Sequence, residues 1–236
     1  MDIRPARPAA AALVVLALAH AASAEPDARR APAWSNDFTA RVEALAVLQT
    51  LNAELLSHDS ATLTLDRWCD VHHLAQPAQP TKIIAVRDKA TTKEATADQR
   101  KALGVSATEP IRYRRVKLTC GARVLSEADN WYVPSRLTAD MNHQLETTDI
   151  AFGRAVQPLH FQRRTLAARL LWSPMPDGWD MAGAAVPDAG DRTLQVPHEL
   201  LQHQALLTLP DGTPFSMVIE TYTEAVLAFP QPKPAP

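Results

Sequence analysis

The sequence predicts an α+β domain: one antiparallel sheet with helices on one face. Two observations carry this. Apolar residues recur at three- and four-residue spacing from Phe38 to Leu55 and again after Thr62, whereas from Pro110 onward short runs alternate apolar and polar residues. The helical and strand-like stretches do not alternate with one another, which argues against parallel βαβ units and for helices laid on an antiparallel sheet.

Taken in order, the chain opens with Arg4 and Arg7, an apolar run from Ala9 to Ala19, and Ala22-Ser23-Ala24 before Glu25. A basic start, a short apolar core and small residues at a cleavage point form a secretory signal, placed at residues 1–24. The run is shorter than the ~20 apolar residues a spanning helix needs, so no stable membrane insertion is expected. Residues 25–34 are polar and rich in Pro and Ala, and read as a flexible lead. The main domain is placed at residues 35–229. Its first helix is capped by Ser35 or Asn36 and buries Phe38, Val42, Leu45, Leu48, Leu51 and Leu55. A second helix starts at Thr62, with Leu63, Leu65, Trp68 and Cys69 available for burial. A short strand follows at Lys82–Asp88, and Thr96 caps a surface helix that Gly104 ends.

The strand region begins with Ile111–Cys120, whose charged and apolar residues alternate. Gly121-Ala122 turns the chain into a partner strand that Pro134 stops. A short helix from Leu137 comes next; the stretch from His160 has helix-permissive Ala and Leu, and it is the family resemblance given below, more than propensity, that makes it a long strand. The last two strands flank Asp211-Gly212, a hairpin signal. The Pro-, Gly- and Asp-rich segment Ser173–Pro197 is longer than most loops; a lid and a disordered excursion are both open. Residues 230–236 form a tail with no means of packing.

Composition narrows the function. A net charge of −2 and scattered arginines give no footprint for nucleic acid. The 7 glycines form no dinucleotide or phosphate loop, and no GxSxG turn is present. The two cysteines, Cys69 and Cys120, form a disulfide in an oxidising compartment or serve as buried apolar fillers. Cys69, His72 and His73 make a C-x-x-H-H cluster, but adjacent histidines diverge on a helix and no second cluster lies nearby, so no metal site is expected. On the strand after Ile111, Arg112 and Arg114 share a face and Arg115 takes the other. These arginines are either solvated or include one turned inward, offering its planar fork to a carboxylate. Glu220 shares a face with Val218 and Tyr222 on an apolar strand; it faces water or is buried with a partner.

Three segments in order, VLSEADNWYVPSRLT, AFGRAVQPLHFQRRT and PFSMVIETYTEAVL, resemble the chorismate lyase-like superfamily, which includes the ligand-binding domain of GntR-type transcription regulators. The resemblance covers roughly Leu63 to Leu227 and is spread over several moderate motifs. It implies the same α+β fold and a pocket for a small aromatic or cyclic carboxylate. RRVKL puts Arg114 in the place of the family's carboxylate-binding arginine, with Arg115 beside it as the second choice. DIAFGR puts Phe152 and Gly153 at the loop whose backbone meets the ligand. Thr62-Leu63-Thr64 matches the family's helix N-terminal motif and makes Leu63 a backbone contact. The glutamate of the last long strand falls on Glu220.

Two functions are compatible with that resemblance. One is elimination of pyruvate from chorismate to give 4-hydroxybenzoate, with Arg114 anchoring a carboxylate, Glu220 assisting proton transfer, and no metal or organic cofactor. The other is a non-catalytic periplasmic binding or sensory module. Export, the Ser173–Pro197 insertion and Asp149-Ile150-Ala151 in place of the family's Thr-Pro set this chain apart from a cytoplasmic enzyme.

Overall fold

The computed structural model describes residues 34–183, 186 and 192–232. The signal segment, nearly all of the lead and the end of the tail lie outside these residues, as does part of the Ser173–Pro197 segment. Six antiparallel strands form one sheet in the order β1-β2-β3-β6-β5-β4. They are β1 (Ile84–Asp88), β2 (Arg112–Cys120), β3 (Arg123–Tyr132), β4 (Gln162–Leu170), β5 (Glu199–Thr208) and β6 (Pro214–Thr223). The helices are α1 (Phe38–Ser57), α2 (Ala61–Val71), α3 (Ala97–Leu103), α4 (Ala139–Thr147) and α5 (Phe152–Ala155). No helix among the described residues is long and apolar enough to cross a membrane.

Side chains alternate across each strand, so one register assigns the faces of the whole sheet. Arg114 pairs with Asn130, which pairs with Val218; Val116 pairs with Ala128, which pairs with Glu220. Val116, Leu118, Ala128, Val218 and Tyr222 therefore share an inner face, and they form one core with Leu48, Leu51 and Leu55 of α1 and Leu65, Trp68 and Cys69 of α2. A second cluster joins Met141 and Leu145 of α4 and Phe152 of α5 to Tyr132, Leu207 and Phe215. The fold class read from the sequence holds, with one addition. Leu103 of α3 packs with Leu206 and Met217, which alternate to the opposite face, so α3 covers one end of the outer side.

The helix starts are set by side-chain caps. Asp37 caps α1 and Ser60 caps α2, each one or two residues from the sequence-based placement. Thr96 and Gln99 form a reciprocal capping box on α3, and Gly104 ends it at φ 61°. The buried stripe of α1 differs from the expected one. It runs through Ala40, Ala44, Leu48, Leu51 and Leu55, while Phe38 is exposed and Val42 and Leu45 only half-buried.

Cys69 of α2 and Cys120 at the end of β2 are joined as a disulfide, and both are fully buried. The C-x-x-H-H segment is consumed structurally. Cys69 is bridged, and the His72 ring stacks on Phe229 and lies tilted against Trp68, with centroids 4.1 Å from each. No group of residues that could hold a metal ion occurs among the described residues. The expected loose tail begins with an anchor: the Gln231 amide accepts from the Ser35 N–H at 3.3 Å and donates to Glu43 at 2.8 Å.

Candidate functional site

A pocket opens between the inner sheet face and the helices above it. Arg114, Val116, Ala128, Asn130, Val218 and Glu220 line its floor; Arg163 and Leu207 extend it toward the β4 edge. Ser60, Ala61 and Thr62 at the start of α2 form one wall, and Phe152, Gly153 and Phe161 form another. The pocket holds about 490 Å³ of space free of atoms, including its open mouth, but only about 40 Å³ admits the centre of a water molecule. One water needs ~10–15 Å³ on that measure, so the pocket is narrow.

The walls are tied together. Arg154, just after Gly153, donates to both oxygens of Asp66 on α2 at 2.8 and 3.0 Å. Gly153 itself lies so close to α2 that a Cβ there would fall 2.7 Å from Ser60 Oγ and 3.0 Å from Thr62 Oγ1. Only a glycine lets the two segments meet at this separation. The Phe152 ring packs against Tyr132 and Phe215, with centroids at 5.4 and 6.3 Å.

Of the three arginines on β2, Arg114 is the one held inward. Arg112 pairs with Glu146 at the surface. Arg115 sits on the outer face, 2.8 Å from Glu127 and 3.1 Å from Asp129. Arg114 is only 3% exposed. Its Nη2 donates to the Ile150 carbonyl at 2.8 Å, while Nε and Nη1 are buried without a partner. Burial, reinforced by the positive charge of Arg87, lowers its pKa to about 10. Among the described residues no carboxylate forms an ion pair with it. A buried guanidinium with two idle donors retains hydrogen-bonding capacity that an acceptor can fill.

Glu220 is partnered, and by a residue the sequence reading missed. Arg163 Nη2 donates to Glu220 Oε2 at 2.6 Å, with both side chains almost wholly buried. The Tyr222 hydroxyl donates to the same oxygen at 3.3 Å. Burial, then the adjacent Glu220 charge, raises the Tyr222 pKa well above its usual value, so the phenol stays a donor. Burial opposes the Arg163 charge, but Glu220 and Tyr222 outweigh it and raise the pKa. His203 pairs across the sheet with Glu220. Its Nε2 lies 2.9 Å from Asn52 Oδ1 and its Nδ1 has no partner, the pattern of a neutral ring donating from Nε2. Burial, then the Arg163 charge, lowers its pKa to about 4.

Arg114, Phe152, Gly153 and Glu220 thus meet in one pocket. Leu63 does not line it: Leu63 is half-buried and its N–H donates to the Ser60 cap at 3.3 Å. Thr62, one residue earlier, takes the place in the wall. Strand spacing of ~4.8 Å and a rise of ~3.4 Å per residue put the Arg114 and Glu220 Cα atoms ~12 Å apart, two strands across and two residues along. The two charged ends therefore flank an apolar middle made by Val116, Ala128 and Val218.

A relative from Sinorhizobium fredii, the uncharacterized protein y4mC, is 59% identical over 199 residues, covering 84% of this chain and 83% of its own length. This chain belongs to the same family. No protein-family model matches it. Partial backbone likenesses occur among solved structures. PhnF from Mycobacterium smegmatis has a TM-score of 0.46 at 13% identity, over 77% of this chain and 71% of that one. The effector domain of the same protein gives 0.43 at 12% identity, over 75% and 96%. YydK from Bacillus subtilis, a possible transcriptional regulator, gives 0.38 at 13% identity; 65% of this chain matches and spans 62% of that chain, under two thirds of its length.

Proposed function

We propose that this family member is a binding module for a small cyclic or aromatic carboxylate. The observation that carries the reading is Arg114: a guanidinium 3% exposed, with Nε and Nη1 unpartnered, lining an otherwise largely apolar pocket. A carboxylate oxygen can accept from either idle N–H in a charge-assisted hydrogen bond, and the Nη2 shared by both edges of the fork is already bonded to the Ile150 carbonyl. The apolar floor suits a ring, and the Arg163–Glu220–Tyr222 group gives the far end a polar contact. The chorismate lyase-like resemblance of the same segments implies this kind of ligand as well. We further propose that the protein works outside the cytoplasm, as the N-terminal signal pattern suggests; the fully buried Cys69–Cys120 disulfide supports an oxidising compartment.

A second reading is favoured by one specific observation. Arg114 and Glu220, the two residues that the resemblance assigns to substrate, line a single pocket. On this reading the protein eliminates pyruvate from chorismate to give 4-hydroxybenzoate. Arg114 holds a carboxylate, and Glu220, fixed by Arg163 and Tyr222, lies by the ring oxygen. One experiment addresses both. Purified protein is melted with benzoate, 4-hydroxybenzoate and the neutral 4-hydroxybenzamide, then incubated with chorismate while ultraviolet absorbance is followed. Stabilisation by the acids and not the amide is expected. Equal effects of acid and amide, or none, overturn the carboxylate site; absence of 4-hydroxybenzoate removes the enzyme reading alone.

A further inference from the structure

The charges around the pocket can be counted. Arg114 contributes one positive charge with no carboxylate in an ion pair with it; Arg87 and Asp149, which act on it from outside the pocket lining, are of opposite sign. Arg163 and Glu220 cancel, at 2.6 Å and with side chains 4% and 8% exposed. His203, across from Glu220, is neutral near pH 7, since burial and the Arg163 charge lower its pKa to about 4. Ser60, Thr62 and Asn130 are uncharged. Asp59 is exposed at the mouth, where its Oδ1 accepts from the Arg163 backbone N–H at 2.8 Å and its charge meets solvent. The buried part of the pocket therefore carries a single uncompensated positive charge.

We propose that the Arg163–Glu220 ion pair acts as a charge filter, restricting the pocket to ligands with one net negative charge, and that Arg163 is the specificity-determining residue. The proposal rests on the carboxylate-site reading of a binding module and deepens it; chorismate, with two carboxylates, is a dianion, so the filter and the lyase reading are mutually exclusive. A monoanion at Arg114 brings the buried charge to zero. A dianion leaves one negative charge unmatched unless it takes Arg163 from Glu220, and that exchange strands Glu220 in a dry site. A zwitterion leaves its ammonium beside a carboxylate already held by a guanidinium. A neutral polar group meets no such conflict. Arg163 Nε is buried without a partner and can donate to it, while Glu220 can accept from it. The ligand class is thus a monocarboxylate whose opposite end is uncharged and hydrogen-bonding.

Isothermal titration of three para-substituted benzoates tests this: 4-hydroxybenzoate, the dianion terephthalate and the zwitterion 4-(aminomethyl)benzoate. The wild type is expected to bind 4-hydroxybenzoate about 30-fold or more tighter than either competitor, the scale of an unmatched buried charge. Glu220→Gln releases Arg163 and should put terephthalate first. Arg163→Met releases Glu220 and should put the zwitterion first. The double variant Arg163→Met/Glu220→Gln restores the original charge count and should return the preference to the monoanion, which mere damage to the pocket would not do. Should Arg163→Met fail to fold, Glu220→Gln and the double variant, neither of which strands a buried carboxylate, decide the matter. Wild-type protein that binds terephthalate as tightly as 4-hydroxybenzoate, or variants that leave the ranking unchanged, overturn the filter while leaving the carboxylate site standing. Wild-type protein that binds none of the three overturns both.

Discussion

Replacing Arg114 with methionine should raise the stability of the ligand-free protein while abolishing recognition of its ligand. The two effects come from one cause. Burial that lowers the Arg114 pKa from its ordinary value to about 10 corresponds to about 3 kcal/mol against the charged form. Both the folded and the unfolded arginine are protonated at neutral pH, so the full cost is present there and is relieved only as pH rises past 10. The idle Nε and Nη1 donors lead to a similar figure, at ~1–3 kcal/mol each. Methionine fills much of the same space without charge, but it leaves the Ile150 carbonyl without its 2.8 Å donor, a loss of about 1–2 kcal/mol. The net gain is about 1–2 kcal/mol, or roughly 2–8 °C in Tm for a domain of this size. Loss of the charge-assisted contact should weaken 4-hydroxybenzoate by about 2–4 kcal/mol, roughly 30- to 1,000-fold. Thermal melts and urea unfolding give the first quantity and calorimetry the second. A variant that melts lower than wild type and still binds the acid at full strength would show that Arg114 is a scaffold residue, and the reasoning would be refuted.

Other outcomes follow from neighbouring features. His203 resists protonation in the folded state, with a pKa of about 4, whereas the unfolded chain takes up that proton near pH 6.5. Stability should therefore fall as pH drops from 6.5 to 4, by up to about 3 kcal/mol, and urea unfolding of His203→Gln should lose that part of the slope; identical pH profiles would contradict it. Reducing the Cys69–Cys120 bridge, which closes a separation of 51 residues, should lower Tm by roughly 5–15 °C; an unchanged melt with both thiols titrated would contradict it. Gly153→Ala sets a methyl against Ser60 Oγ and Thr62 Oγ1, so it should disturb the α2 cap at a cost of about 1 kcal/mol and weaken ligand binding; calorimetry showing wild-type affinity would count against that wall. Mass spectrometry of protein from its native host should find a mature N-terminus at Glu25, and a chain still carrying Met1 in the cytosol would rule out export.

Much of the fold was legible because its signals are local. Strand alternation and turn residues located five of the six strands, the family resemblance decided β4 against its helix-permissive Ala and Leu, and the helix starts of α1 and α2 fell within two positions. What was not legible depends on contacts distant in sequence. Arg163 and Arg164 stand side by side on β4, and nothing local says which faces inward; the answer lies in Glu220, 57 residues away. The signal that could have found it is the bare fact of a glutamate on an apolar face, which demands a cation somewhere. A one-residue offset explains Leu63. Matching Thr62-Leu63-Thr64 to the family motif put the Leu63 N–H at the ligand, whereas Thr62 lines the pocket and the Leu63 N–H is taken by the Ser60 cap. For the C-x-x-H-H cluster the diverging directions of adjacent histidines argued against a ligand set; the sequence did not reveal that the disulfide and ring contacts engage Cys69 and His72.

The central claim is that Arg114 is the anchor of a carboxylate site. A crystal structure of the protein grown with 4-hydroxybenzoate tests it most directly. The carboxylate should accept from at least one of the idle Arg114 donors, Nε or Nη1, at ~2.7–2.9 Å, with the ring over Val116, Ala128 and Val218 and the hydroxyl at the Arg163–Glu220 pair. A pocket empty at saturating ligand, or a ligand bound elsewhere while those two N–H groups stay idle, would contradict the account.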